Sequence, residues 1–167
     1  MNDDMKNKQF ETKAIHSGDI PEDGTGAVTT PIHPSTTYRV KYPGDESGYV
    51  YSRWSNPTRK ALEETLAQIE NGKHGFAYSS GLAALGAILN LLKPGDHVVA
   101  VDDLYGGTHR LFEKLMTKFQ LEFSYVDGTD ADNFKNAAKE NTRLFWIETP
   151  TNPLLKITDI EAVSAIA

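Results

Sequence analysis

The chain has 167 residues, of which 39% are hydrophobic and 24% charged, with a formal net charge of -6. This composition is typical of a soluble globular protein that can bury a core, and its acidic balance argues against binding to nucleic acid or to anionic membranes. Because there is no cysteine, disulfides, thiolate metal sites and a cysteine nucleophile are excluded. The N-terminus has no apolar signal segment and no apolar run could span a bilayer, so we expect a cytoplasmic protein.

Residues 1–55 show little periodicity and are rich in glycine, proline, threonine and tyrosine. A long irregular segment is uncommon in a compact domain unless it is functional or docks on a partner. We therefore predict an irregular N-terminal arm over 1–55 that is functional or docks on a partner. Residues 56–167 are predicted to form an α/β domain.

The α/β region begins with a helix that Asn56 caps and Pro57 starts, and that stops at Asn71-Gly72. A short strand is predicted over 75–78. The next helix, over 82–92, is apolar nearly all round, which predicts that it is buried on every side.

The remaining sequence alternates strands with helices, which predicts a largely parallel sheet flanked by helices. The predicted strands are 97–101, 121–126 and 143–148, and the predicted helices are 108–119, 130–138 and a last one from Asp159 with Ile160, Val163 and Ile166 inward. The sequence stops on apolar residues without a helix cap, so we expect it to be the N-terminal portion of a longer protein.

Ligand sites of open α/β sheets form where the strands end, and polar residues follow the predicted strands. Ser79-Ser80-Gly81 opens a helix, where free N–H groups and a glycine favour an anion; a plain tight turn is the alternative. Tyr105, beside Gly106-Gly107, could stack on a planar ligand, or else pack partly in the core.

Two further groups of residues are candidates for the same ligand. Glu148 and Asn152 could hydrogen-bond its polar edge, although Asn152 between two prolines also suits a simple turn. Arg53 with Tyr51 could clamp a phosphate, because a guanidinium donates to two phosphate oxygens at once; a surface ion pair is the alternative.

The joint order of these motifs resembles the Cys/Met-metabolism family of pyridoxal-phosphate (PLP) enzymes, from about residue 15 to residue 167. The matching segments are Tyr51-Ser52-Arg53-x-x-Asn56-Pro57-Thr58, Ser80-Gly81, Asp103-x-Tyr105-Gly106-Gly107-Thr108 and Glu148-Thr149-Pro150-Thr151-Asn152-Pro153. The resemblance implies the large domain of a fold-type I PLP-dependent transferase, with its C-terminal part missing here.

The resemblance also implies roles for single residues. Tyr105 would stack on the cofactor ring and take part in proton transfer, with Glu148 and Asn152 near that ring. The phosphate would be held by Ser80, Gly81 and Leu82, and by Tyr51 and Arg53 of a neighbouring subunit in a dimer of dimers. No metal site is expected, since the histidines show no ligand spacing.

The implied activity is trans-sulfuration at the γ-carbon of a sulfur amino acid. Cleavage of cystathionine to cysteine, 2-oxobutanoate and ammonia (γ-lyase) is favoured; the alternatives are γ-synthesis from O-acyl-homoserine and cysteine, methionine γ-lysis and cystathionine β-lysis. The family's cofactor-binding lysine, pyridine-pairing aspartate and substrate-binding arginine would follow residue 167, so residues 1–167 alone are expected to be inactive.

Two rival classes remain at this point. An α/β-hydrolase would use Ser79 as its nucleophile, but Ala77-x-Ser79-x-Gly81 lacks the first glycine of that motif. A truncated gene product or interaction module would have no catalytic role.

Overall fold

The computed structural model describes Met5 and residues 7–18, 25–45 and 47–167; the other positions of the predicted arm lie outside the described residues. The chain divides into two compact units, Met1–Tyr78 and Ser79–Ala167. Helices of the first unit are α1 (Phe10–His16) and α2 (Pro57–Ile69). The second unit contains α3 (Gly81–Leu89), β1 (His97–Val101), α4 (Gly106–Lys114), β2 (Glu122–Val126), α5 (Asp132–Ala137), β3 (Thr142–Trp146) and α6 (Ile160–Ile166). None of the helices in the described ranges has the length and apolarity needed to cross a membrane.

Helix α2 begins where the sequence predicts, because Asn56 caps it and Pro57 is its first residue. The Asn56 Oδ1 atom accepts hydrogen bonds from the backbone N–H groups of Thr58 (2.9 Å) and Arg59 (3.3 Å). Its Nδ2 atom, which carries two N–H donors, lies within hydrogen-bond distance of three arm acceptors: the His33 carbonyl (3.0 Å), the Ser52 hydroxyl (3.1 Å) and the Tyr38 hydroxyl (3.2 Å). The helix cap therefore also organises the arm.

The described part of the arm is mostly irregular, with one isolated antiparallel bridge between Thr37 and Tyr51. Helix α1 was not predicted, because its apolar residues do not form a buried face: Phe10 and Ile15 are 61% and 69% exposed. The chain just after α1 instead lies close to the α2 backbone, since a Cβ atom on Gly18 would lie 2.6 Å from the Ala61 carbonyl oxygen. Docking of the arm on another subunit stays a prediction.

The predicted strand over 75–78 is wrong. A strand must exchange backbone hydrogen bonds with a neighbouring strand. Among the described residues of this unit, the backbone of 75–78 instead bonds to a side chain, because the Ala77 N–H donates to Glu63 Oε1 at 3.0 Å. Gly75 lies directly against the Glu63 backbone, where a Cβ atom would lie 3.0 Å from the carbonyl carbon.

The second unit confirms the parallel sheet. Its strand order is β2-β1-β3, and both pairings of the central strand β1 are parallel. Every residue of β1 is buried, and the core around it is formed by Leu85, Leu89, Val99, Ala100, Val101, Leu104, Phe112, Leu121, Phe134 and Val163. This sheet fixes the positions of the loops that follow its strands.

The helices differ from prediction where burial depends on neighbouring elements. Helix α3 buries Leu85 but leaves Leu82 and Ile88 each 38% exposed, so it is not buried on every side. Val163 faces the core as predicted, whereas Ile160 is 56% exposed.

Two boundaries also differ. Helix α4 ends at Lys114 and is followed by a separate 3-10 turn over Met116–Phe119, which the left-handed Gln120 (φ 64°) terminates. Strand β3 stops at Trp146, so Glu148 lies in the following loop rather than in the strand.

Candidate functional site

A cleft of about 520 Å³ lies in the second unit, beside the C-terminal end of β3 and the start of helices α3 and α4. It is lined by Ser80, Gly81, Leu82, Ala84, Leu85, Ile88, Tyr105, Thr108, Trp146 and Glu148. Five of the residues predicted for the site, Ser80, Gly81, Leu82, Tyr105 and Glu148, therefore surround one space.

The N-terminus of α3 offers unpaired backbone donors to this cleft. The Ser80 hydroxyl caps the helix by accepting from the Ala83 N–H at 3.2 Å. The N–H groups of Gly81 and Leu82 donate to no atom of the described residues. A Cβ atom on Gly81 would meet nothing within 4 Å, so an anionic group can approach both N–H donors closely.

The Tyr105 ring is 54% exposed at the cleft, rather than packed in the core. It lies against Gly107, where a Cβ atom would come within 3.0 Å of the ring atoms Cδ1 and Cζ. Glycine is thus required at 107 for the observed ring position. A half-exposed ring leaves aromatic surface for stacking and a phenol that can exchange a proton with a ligand.

Glu148 joins the end of β3 to the start of α4. Its Oε2 atom accepts from the Tyr105 N–H at 2.7 Å. Its Oε1 atom accepts from the Thr108 hydroxyl at 2.7 Å and from the Trp146 indole N–H at 3.2 Å. Bonds to an ionised carboxylate are stronger than neutral ones, so Glu148 holds the backbone that presents Tyr105.

Sequence reasoning named Asp103 only as a neighbour of Tyr105 and missed its role in the loop after β3. Asp103 is 9% exposed and its Oδ2 atom accepts from the buried Thr151 hydroxyl at 2.5 Å and from the Leu154 N–H at 2.8 Å. The Thr151 hydroxyl accepts in turn from the Lys156 N–H at 2.8 Å. An acid two positions after a fully buried strand was the available signal.

Lys156 was also missed. Its Nζ atom is 2.9 Å from both carboxylate oxygens of Asp102, after β1, and 3.3 Å from Asp127 Oδ2, after β2. The hydrogen bond to Asp102 raises the pKa of Lys156 above its usual value, so the ammonium stays charged. One cation thereby connects the exits of all three strands.

Asn152 is not among the residues that line the cleft. It is exposed, and its side chain makes no hydrogen bond to another described residue. The peptide bonds that precede Pro150 and Pro153 are both cis. A role for Asn152 at a ligand stays a prediction.

Tyr51 and Arg53 belong to the first unit. The Arg53 guanidinium carbon lies 4.9 Å from the centroid of the Tyr51 ring, and the arginine is exposed. It forms no ion pair within the described residues, so the alternative of a surface salt bridge is not observed there.

Comparison with known proteins identifies the family to which the chain is similar. The family model "Cys/Met metabolism PLP-dependent enzyme" matches residues 11–167. The chain is 49% identical over 158 residues to a probable cystathionine gamma-synthase of Herpetosiphon aurantiacus, and 48% identical over 163 residues to a cystathionine beta-lyase of Coxiella burnetii. These alignments cover 95% and 97% of the chain but 50% and 42% of the relatives.

A solved structure supports the fold. The crystal structure of cystathionine gamma-lyase from Lactobacillus plantarum, complexed with L-serine, matches with a TM-score of 0.89 and 41% identity, over 96% of this chain and 42% of that one. The large-domain fold predicted from the sequence is thereby confirmed. The chain spans about half the length, or less, of the relatives that it matches.

Proposed function

Since the chain belongs to the Cys/Met metabolism family of PLP-dependent enzymes, we propose that the whole protein is a trans-sulfuration enzyme that acts at the γ-carbon of a sulfur amino acid. The favoured reaction is cleavage of cystathionine to cysteine, 2-oxobutanoate and ammonia. The family match removes the α/β-hydrolase alternative with Ser79 as nucleophile.

One observation carries this proposal: free N–H donors and an exposed aromatic ring line the same cleft. The unpaired N–H groups of Gly81 and Leu82 fit a phosphate, and the exposed Tyr105 ring fits a flat heteroaromatic ring beside it. The cleft volume of about 520 Å³ is ample for one small ligand of this kind. The residues present therefore suit PLP.

PLP, when bound, withdraws electrons from the carbon next to the substrate amino group, so that protons leave more easily. The chain supplies binding and proton handling around that chemistry. Gly81 and Leu82 hold the phosphate by their N–H groups, and the Tyr105 hydroxyl moves a proton at the reacting amino acid. Glu148 keeps Tyr105 in place through its backbone N–H.

Cystathionine γ-synthesis and cystathionine β-lysis stay as second candidates, because relatives named for those reactions are 49% and 48% identical to this chain. All of these reactions need the same cofactor cleft.

The decisive experiment uses the purified whole protein saturated with PLP. Given cystathionine, a γ-lyase releases cysteine and 2-oxobutanoate, whereas a β-lyase releases homocysteine and pyruvate. Given O-acyl-homoserine and cysteine, a γ-synthase forms cystathionine. No turnover in any assay, with no visible absorbance of a bound cofactor, would contradict the proposal.

We also propose that the whole protein is a cytoplasmic dimer of dimers in which the arm of one copy reaches the cofactor of another. The exposed Arg53, which stacks over the half-buried Tyr51 ring and forms no ion pair within the described residues, supports this. Light scattering after size-exclusion chromatography gives the oligomeric state, and a monomer would contradict the arm's role.

A further inference from the structure

The segment that carries Tyr51 and Arg53 is a tight turn, here called the Tyr51–Trp54 turn. The N–H groups of Trp54 and Ser55 both donate to the Tyr51 carbonyl at 3.0 Å. The Arg53 guanidinium lies over the Tyr51 ring and is exposed. The turn therefore presents together a phenol and a cation that forms no ion pair with any described residue.

Arg59, in the first turn of α2, holds this turn from behind. Its Nη1 atom donates to the Ser52 carbonyl at 3.0 Å, and its Nη2 atom donates to the Trp54 carbonyl at 2.6 Å. These two carbonyls belong to the residues on either side of Arg53. The fork of one guanidinium thus fixes the backbone immediately before and after the presented arginine.

Arg59 is itself held in place. Its Nε atom is 3.5 Å from Glu63 Oε1, one helical turn further along α2, and its side chain is 32% exposed. The same Glu63 oxygen accepts from the Ala77 N–H at 3.0 Å. Glu63 is in this way anchored independently of Arg59.

We propose that Arg59 is a positioning residue for the cofactor site of a second copy of this chain. It acts through the Tyr51–Trp54 turn, by fixing the backbone from which Arg53 and Tyr51 reach a phosphate. This inference rests on the proposed function. An unsupported turn would have to be ordered when the phosphate binds, at a cost in affinity that a fixed turn avoids.

The guanidinium fork is needed because two carbonyl groups must be bonded at once. Lysine at 59 would keep the positive charge, but its single nitrogen lacks the two separate donor nitrogens that bond the Ser52 and Trp54 carbonyls, so Arg59→Lys is a conservative test of the fork. The matched control is Arg143→Ala, because Arg143 Nη1 likewise donates to carbonyls, those of Glu140 (3.0 Å) and Thr142 (2.8 Å), at the opposite end of β3 from the cleft.

The test measures the dissociation constant of PLP for the whole protein carrying Arg53→Ala, Arg59→Ala or both. We expect Arg59→Ala to weaken PLP binding about tenfold, Arg59→Lys to weaken it less, and Arg143→Ala to leave it unchanged. In the Arg53→Ala background, the added Arg59→Ala change should have a smaller effect than in the wild type, because the part exerted through Arg53 is already lost. A general destabilisation would give additive losses instead.

Mixed oligomers locate the defect. One copy carries Arg59→Ala and the other carries Tyr105→Phe, so that the only fully active site is on the Arg59→Ala copy and is served by an intact arm. We expect that site to reach half its activity at the same PLP concentration as the wild type. When both changes are on the same copy, the one site with an intact Tyr105 is served by the Arg59→Ala arm, and it should need about tenfold more PLP.

Unchanged PLP binding in Arg59→Ala, additive losses, or a defect confined to the variant's own site would each overturn the inference while leaving the proposed function standing. If the wild-type protein binds no PLP, the proposed function itself fails. Should Arg59→Ala not fold, Arg59→Lys decides. PLP binding equal to wild type overturns the proposal. Weaker PLP binding, by a factor that shrinks in the Arg53→Ala background, supports it.

Discussion

Where the strands of the sheet begin, His97 is fully buried, with its ring nitrogens 2.8 Å from the Thr142 hydroxyl and 2.9 Å from that of Ser124. Where the strands end, Tyr105 is 54% exposed and the Gly81 N–H is without a partner among the described residues. The ring nitrogens of His97 are thus bonded and closed to ligands. At the second end Glu148 and Asp103 are bonded as well, but the Gly81 N–H and the exposed Tyr105 ring remain available to a ligand, which is why binding is proposed there.

The largest effect expected at the open end is that of Tyr105→Phe in the whole protein. Removal of a proton-transferring hydroxyl should lower kcat by roughly 10²–10⁴ while the free energy of unfolding changes little. Tyr125→Phe is the matched control, because the Tyr125 hydroxyl donates to Glu113 Oε1 at 2.7 Å in a structural contact. Steady-state kinetics and thermal unfolding check both, and equal turnover in Tyr105→Phe would contradict its role.

A structural effect at the same end is expected from Asp103→Asn. The carboxylate accepts from Thr151 and Leu154, and loss of its charge should lower the free energy of unfolding by about 1–3 kcal/mol. Urea unfolding measures the loss. Glu140→Gln, an exposed acid, should change stability by less than about 0.5 kcal/mol; equal effects of the two would show that the Asp103 contacts are not stabilising.

Gly81→Ala distinguishes an effect on PLP binding from an effect on folding. Nothing lies within 4 Å of a Cβ atom there, so the free protein should fold normally, whereas a bound phosphate would lose room and PLP binding should weaken about tenfold. Gly86→Ala, equally unobstructed but in the interior of α3, should leave PLP binding unchanged. Unaltered binding in Gly81→Ala would place the phosphate elsewhere. Spectroscopic titration with PLP compares the two.

The smallest effect concerns the closed end. Burial, and secondarily the charge of Lys139, lower the pKa of His97 below its usual value, against a smaller opposing effect of Glu122. The unfolded chain then binds the proton more readily, so this histidine's contribution to stability is present above about pH 6.5 and is lost as the pH falls through the lowered pKa.

Urea unfolding of the wild-type protein at about pH 7.5 and about pH 5.5 should show lower stability at the acid value. In His97→Gln the difference between the two pH values should shrink. An unchanged difference would assign the pH dependence to other groups.

Local signals predicted much of the fold. Asn56 is a helix cap, as expected. The helix expected from Asp159 is also present, and Asp159 Oδ1 accepts from the Ala162 N–H at 3.0 Å. The parallel order of β1, β2 and β3 followed from alternating apolar strands and helices. The segment over 75–78 and the exposed face of α3 could not be predicted, because they depend on which neighbours are present rather than on their own residues.

The site followed the same rule. Strand-end loops were expected to meet, and Gly81, Tyr105 and Glu148 do line one cleft. The partnership of Asp103 with Thr151 and the contacts of Lys156 were missed, since they pair residues about fifty positions apart. Sequence patterns identify which loops converge, but not which side chains bond once they do.

Helix caps are usually interchangeable among serine, threonine, aspartate and asparagine. Asn56 is an exception, because its side-chain oxygen accepts from the helix backbone while its side-chain nitrogen faces three acceptors of the arm. Aspartate could still accept from the helix backbone but has no N–H to donate to the arm. Serine or threonine could accept from the helix but would have only one O–H to donate. Among the four usual capping residues only asparagine carries both groups, so a position that looks replaceable by helix statistics is chemically restricted.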